Sequence, residues 1–325
     1  MQNRAAIIGG GVSGLTCGVL FGERGWNMTI FADQTGQKTT SAAAAAIWFP
    51  YDAEPAEKVV PWALTTFRIL NELAQNRGTG VSMLELRQCT CTCAISIPNW
   101  AKKLGAGPLS LMPSGAKGSL SSGFPSVFTS GFALTVPLTD TTVYLDYLAT
   151  RFRKTGGTVR STHITKVEEI PHDFDLIINC AGIGARELVH DSELEPHRGQ
   201  VVVVPKLELG AAIVCDGPPL MYAIPRAQDC ILGGTNVLSD NRQTSPADTA
   251  AIVAECSRVL GIEVPRVLAV KVGIRPFRKS GVRLEPEELR DGRTLIHNYG
   301  HGGAGFTLSW ACAKEVYAIA TANGG

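Results

Sequence analysis

Near the start of the chain, Ala5-Ala6-Ile7-Ile8 runs into Gly9-Gly10-Gly11-Val12-Ser13-Gly14, and residues 15–24 carry on with helical spacing. An apolar strand, a G-x-G-x-x-G turn and a helix in that order commit a chain to a βαβ opening whose helix N-terminus faces an anion. Asn298-Tyr299-Gly300-His301-Gly302-Gly303-Ala304-Gly305 leads in the same way into the apolar stretch 306–322. Each turn points unpaired amides and the positive end of a helix dipole at what lies beyond it. A ligand long enough to meet both is a dinucleotide with a reactive head.

The intervening sequence predicts two interleaved units. A second strand, 29–32, ends beside Asp33, roughly 20 residues after the glycine turn, where an acid is expected to hold an adenosine ribose. Asp140 or Thr141 caps a helix with Leu145, Leu148, Ala149 and Phe152 at helical spacing, closed by Gly156-Gly157. Residues 159–167 lead on to the buried strand 176–180 and the small-residue turn Ala181-Gly182-Ile183-Gly184. By contrast, 201–204, 211–215, 220–224, 230–233 and 267–271 are short β runs broken by Gly, Pro and Asp, the mark of an antiparallel sheet. That unit also holds a helix with Ser245 as cap, Pro246 in its first turn and Gly261 after its end.

With 325 residues, 45% hydrophobic and 18% charged, the chain can bury one large or two joined cores. A net charge of +1 with no basic run gives no case for nucleic acid or a membrane surface. Nine scattered cysteines fit a reducing compartment, and Cys89, Cys91 and Cys93 read as one strand face and not as a metal site. The strand begins after only a few residues and no peroxisomal tripeptide follows Ala322, so a cytoplasmic location is expected.

Several further motifs occur in order: Thr39-Thr40-Ser41-Ala42 leading to Ile47-Trp48-Phe49-Pro50-Tyr51, Asn179-Cys180-Ala181-Gly182, Arg198-Gly199-Gln200, Gly273-Ile274-Arg275-Pro276, Arg283-Leu284-Glu285 and His297-Asn298-Tyr299-Gly300-His301-Gly302-Gly303. Together with the first glycine turn they resemble the D-amino-acid oxidases, most closely bacterial members, over residues 5–313. The resemblance implies an α/β fold: a discontinuous FAD-binding Rossmann-like domain (1–50, 140–195 and 287–325) interleaved with an antiparallel-sheet substrate domain (51–139 and 196–286). It also implies non-covalent FAD and the oxidation of a D-amino acid to an imino acid, which hydrolyses to a 2-oxo acid and ammonia, with oxygen reduced to hydrogen peroxide. A homodimer is compatible with it.

By position, Arg275 matches the arginine that grips the substrate carboxylate, Tyr222 a tyrosine that touches it, and Gly303 a carbonyl that meets the amine. Phe49 and Met221 are the expected side-chain pocket, which makes it apolar and the substrate neutral. Gly9, Gly11 and Gly14, with Val12 and Ser13, admit the pyrophosphate; Asp33 takes the ribose; Thr39, Thr40 and Ser41 take phosphate or ribityl groups. Val167 lines the adenine and Trp48 flanks the isoalloxazine, although a core tryptophan accounts for Trp48 nearly as well. Cys180, Ala181 and Gly182 border the cofactor, as do Gly300, Gly302, Gly303, Ala304, Gly305, Phe306 and Thr307, and the amides of residues 302–307 face the charge that grows on the reduced flavin.

Where other members have a longer lid, this chain has the short Asp216-Gly217-Pro218-Pro219, which predicts an open entrance. Arg226, on an expected hairpin tip, is the extra cation that an acidic substrate would need. Oxidation of D-aspartate, D-glutamate, glycine or sarcosine is the alternative within the same chemistry. A nicotinamide-dependent reductase and a flavin-binding protein without turnover are the alternatives outside it.

Overall fold

The computed structural model describes residues 3–92, 94–109, 127–217 and 220–322. Cys93, Pro218 and Pro219, named above, lie outside the described residues. Two sheets organise the rest. In the six-stranded sheet the order is Arg283–Glu288, Thr294–Tyr299, Leu176–Asn179, Arg4–Gly10, Asn27–Thr35 and Thr158–Arg160. All its pairings are parallel except that of the first two strands. Its inner strands are continuously apolar because both faces are covered. On one face Val12–Gly22 packs between Thr141–Lys154 and Gly305–Ala322. Gly18 makes that packing close: a β-carbon there would come within 2.9 Å of the Phe152 ring. On the other face Ala6, Ile8 and Ile177 meet Phe31, Ile170 and Phe174.

Three parts of the chain, early, middle and late, thus build one sheet. Arg283–Glu288, which the expected boundary at 286/287 divides, pairs along its whole length with Thr294–Tyr299. The strand expected in 159–167 is confined to Thr158–Arg160, an exposed edge. Beyond it the chain leaves the sheet and turns inward at Val167–Glu169, burying Val167.

The larger sheet, nine strands among the described residues, runs Val237–Leu238, Leu194–Pro205, Asp229–Gly233, Met221–Pro225, Ala212–Cys215, Val81–Thr90, Ser130–Thr139 and Gly107–Pro108, with Ala269–Arg278 also paired to Leu194–Pro205. It is antiparallel except where Val81–Thr90 lies parallel to Ala212–Cys215. The Pro246–Leu260 helix covers its outer face, started by the Ser245 side chain, which accepts from the Asp248 amide, and ended at Gly261 in the left-handed conformation. Asp140 caps Thr141–Lys154 in the same manner. Cys89 ends buried in its strand, but the strand stops at Thr90, so Cys91 lies beyond it, with its sulfur 4.0 Å from that of Cys215. No helix among the described residues is long and apolar enough to cross a membrane.

Candidate active site

The two sheets enclose one cleft between them. At one end lie Gly9, Gly10, Gly11, Val12 and Ser13, with Asp33, Thr39, Thr40, Ser41, Cys180, Ala181 and Gly182; at the other lie His301, Gly302, Gly303, Gly305, Phe306 and Thr307. Phe49, Tyr222 and Arg275 face the same space.

Glycine is required in the first turn. Gly9 has φ +111°, and a β-carbon on it would sit 2.3 Å from the Cys180 carbonyl oxygen. A β-carbon on Gly14 would sit 2.0 Å from the carbonyl oxygen of Gly9. Gly14 therefore lets helix and strand approach and does not itself line the cleft, a correction to its expected place at the pyrophosphate. Gly11 precedes the helix without a side-chain cap, and the Val12 amide donates to Ser41 Oγ at 3.0 Å. Amides and small hydroxyls are the polar groups at this helix start, which suits a phosphate. Asp33 is exposed at the cleft edge, its carboxylate 3.2 Å from His163 Nδ1.

The last glycine turn is pressed against residues 51 and 52. A β-carbon on Gly302 would overlap the Asp52 carbonyl, and one on Gly303 would lie 2.6 Å from the Tyr51 ring. Two of the expected amide donors are taken, since Gly302 N donates to Pro276 O and Ala304 N to His301 O, both at 2.9 Å. The first-turn amides of Gly305, Phe306 and Thr307 remain as the donors at this helix start. The Thr307 hydroxyl donates to the Phe49 carbonyl at 3.0 Å and so fixes Phe49 at the cleft. His301 is buried and bonded to Asn298 Oδ1 at 3.1 Å; burial pushes its pKa down to about 4, so it is a neutral imidazole.

Other expected site residues turn away. Trp48 is 1% exposed, donates to the Ala63 carbonyl at 3.0 Å and packs edge-on against Phe67 and Trp100, so it is a core residue. Val167 is packed with Ile170 and Phe174. Ala304 is wholly buried in the main core, and Gly300 faces Arg278. Met221 is in the core behind the sheet with Val202, Ala223 and Cys256, because strand alternation sends Leu220, Tyr222 and Ile224 to the cleft and their neighbours to the opposite side.

Arg275 and Tyr222 stand together, with glycines making the room. A β-carbon on Gly199 would lie 2.4 Å from Arg275 Nη1, and one on Gly233 would lie 2.0 Å from Tyr222 Cζ. Arg275 donates to the Thr235 carbonyl at 3.0 Å, and among the described residues no carboxylate lies within 4 Å of it to form an ion pair. Burial raises the Tyr222 hydroxyl's pKa, and the adjacent Arg275 guanidinium opposes that shift. Beside them the Tyr51 hydroxyl accepts from Asn236 at 3.2 Å. Gln88 and Asp216 line the cleft as well, joined by a 2.7 Å hydrogen bond from Gln88 Nε2 to Asp216 Oδ2. None of Tyr51, Gln88 and Asp216 is legible in the sequence as a ligand contact: Gln88 is brought to this face by its place in Val81–Thr90, Asp216 follows the end of Ala212–Cys215, and Tyr51 lies on a loop.

The cleft fits a dinucleotide on its own terms: a glycine cradle that any side chain would fill, an acid at one edge, and a second helix N-terminus at the far end. Fold and cleft together define a dinucleotide-binding protein. Comparison with known proteins makes this specific: residues 4–319 match the family model described as FAD dependent oxidoreductase, and the chain belongs to that family. It is 37% identical over 98% of its length to a D-amino-acid oxidase of Rubrobacter xylanophilus, covering 96% of that protein. It is also 31% identical over 96% of its length to a D-aspartate oxidase of Homo sapiens, covering 93% of it. Among solved structures, glycine oxidase from Geobacillus kaustophilus superposes with a TM-score of 0.81 at 19% identity, over 99% of this chain and 95% of that one. The interleaved two-sheet architecture expected from the sequence is the one found.

Proposed function

We propose that this protein oxidises D-amino acids to 2-oxo acids and ammonia, with oxygen as the electron acceptor and hydrogen peroxide as the second product. The observation that carries the reading is Arg275: a guanidinium at the cleft, beside the Tyr222 hydroxyl and without a protein carboxylate among the described residues. A planar fork of donors in that setting is matched by a substrate carboxylate.

FAD, when bound, supplies the hydride acceptor and passes the electrons to oxygen. The chain contributes binding and orientation. Gly9, Gly11, Val12 and Ser13 face the pyrophosphate, Asp33 the ribose, and Thr39, Thr40 and Ser41 the neighbouring phosphate or ribityl groups. Cys180, Ala181 and Gly182 border the cofactor, and the first-turn amides of Gly305, Phe306 and Thr307 face its reactive end. Arg275 and Tyr222 hold the substrate carboxylate, and the Gly303 carbonyl accepts from its amine. Clamping at two points fixes Cα, which is the orientation a direct hydride transfer needs. No side-chain base is required, and His301, buried and neutral, is not one.

Relatives named D-amino-acid oxidase, at 36–37% identity in Rubrobacter xylanophilus and Streptomyces coelicolor, support the D-configuration. The fold is silent on it, because an L-proline dehydrogenase and an L-amino acid deaminase share the fold at 12% and 11% identity. Acidic substrates are disfavoured. Arg226, the cation considered for them, is held by Asp229 at 2.6 Å and Asp140 at 3.3 Å, and Asp216 puts a like charge in the cleft. The wall beyond Arg275 is apolar along Phe49, Leu86, Val214, Leu220 and Ile224, which favours a neutral stem on the substrate side chain. Arg275→Ala should raise KM for a D-amino acid by about a hundredfold or more while flavin stays bound. An unchanged KM would remove Arg275 from the carboxylate site.

A further inference from the structure

One row of the larger sheet runs across the cleft. Gln88 is paired with Val214, and Val214 with Tyr222, so the three occupy adjacent strands on one face. Asp216 follows Val214 by two residues and bonds to Gln88. With strands about 4.8 Å apart, the backbone at Gln88 lies about 10 Å from that at Tyr222.

The two ends of the row are chemically opposite. Tyr222 and Arg275 offer donors. Gln88 is 4% exposed, and having given its amide N–H to Asp216 it has an Oε1 atom that is buried without a hydrogen-bond partner among the described residues. A buried acceptor left unpaired is costly, so it marks a place where a ligand donor belongs. Asp216 stands at the open rim; its surroundings strip enough water from it to raise its carboxyl pKa, against the effect of the Gln88 hydrogen bond. Between the two ends the row holds Val214, and Leu86, Leu220 and Ile224 are apolar side chains of the same cleft.

Resting on the oxidase reading above, we infer that Gln88 and Asp216 select D-amino acids with a long aliphatic side chain ending in a cationic N–H donor, of the lysine and arginine type. The carboxylate sits at Arg275 and Tyr222, the stem lies along the apolar wall, and the terminal ammonium or guanidinium meets Gln88 Oε1 and the Asp216 carboxylate. The stem has to be long because Val214 stands between Tyr222 and Gln88 on the row. Shorter side chains leave Gln88 Oε1 unpaired.

The test compares partners that differ only at the far end, on the flavin-loaded protein. D-Lysine should exceed D-norleucine in kcat/KM by about tenfold or more, and 6-aminohexanoate should perturb the flavin spectrum at concentrations about tenfold lower than hexanoate does. Both ratios should collapse toward one in Asp216→Asn and Gln88→Leu, with retained flavin reporting that the fold is intact. The inhibitor pair is measured on the unmodified protein, so it decides even if a variant does not fold. Oxidation of D-norleucine as good as that of D-lysine, with no preference for 6-aminohexanoate, would overturn the inference and leave the oxidase reading standing. Failure of every D-amino acid to bleach the flavin would instead bring down the oxidase reading, and the inference with it.

Discussion

Where the cleft meets the six-stranded sheet, its wall is largely backbone: glycines at 9, 10 and 11, small hydroxyls at 39–41, and the amides of a helix start. Where it meets the larger sheet, the wall is side chains: Gln88, Val214, Tyr222 and Arg275, each standing on an alternating strand position. A backbone wall is specified by which residues are allowed, and a side-chain wall by which residues are aligned. The first kind tolerates almost no substitution at its glycines. The second kind can change its specificity by altering one side chain while the strands beneath stay as they are.

That contrast can be broken most directly at Gly14. Gly14→Val would place atoms against the Gly9 carbonyl, 2.0 Å from the β-carbon position, and should abolish flavin retention altogether, read from the absorbance of the purified protein. A variant that purifies fully yellow would contradict the close strand-to-helix approach. A smaller effect is expected at the seam, where the backbone of His301 bridges to that of Phe277. With its pKa lowered by burial to about 4 in the folded protein and near 6.5 when unfolded, His301 favours the unfolded state on protonation. Stability is therefore complete above about pH 6.5 and is lost as pH falls toward 4, by about 3 kcal/mol from this group. Denaturation midpoints across that window should slope in the wild type and flatten in His301→Asn; equal slopes would locate the acid sensitivity elsewhere. Smaller again is Gly199→Ala, whose methyl would displace the Arg275 guanidinium from 2.4 Å away. It should raise KM about tenfold to a hundredfold while leaving flavin bound, because a displaced guanidinium keeps its charge but loses its aim. Loss of flavin in this variant would show that the two walls are not separable.

The same contrast explains what could be read from the sequence. Gly9, Gly11, Asp140, Ser245 and Gly261 announce themselves, because left-handed φ, close approach and capping each select a residue type locally. So did the cleft positions of Arg275 and Tyr222, through the company they keep in ordered motifs. Met221 was misplaced by one position: the run Leu220-Met221-Tyr222 contains no polar alternation to fix which face is inward, and the core takes Met221. For Trp48 the sequence leaves two readings, because an indole suits a ring ligand and a core equally, and here Ala63, Phe67 and Trp100 claim it. Gln88 and Asp216 were invisible as a pair, being 128 residues apart and joined only by the parallel register of two strands. The small residues at Gly199 and Gly233 were legible as glycines but not as clearances for named side chains.

The strand order of the six-stranded sheet bears on how the protein is made. Thr294–Tyr299 pairs with Leu176–Asn179, which pairs with Arg4–Gly10. A chain emerging from the ribosome exposes its first apolar strand, Arg4–Gly10, long before Leu176–Asn179 arrives, and Thr294–Tyr299 comes later still. The edge that waits for Thr294–Tyr299 is unpaired and apolar until that strand is made, the kind of surface on which nascent chains stick to one another. Cofactor capture then waits on the later of two distant segments, because the helix starts that frame the ligand, at Val12 and Gly305, meet only once both are made, and a product that stops short of the second has half a cradle.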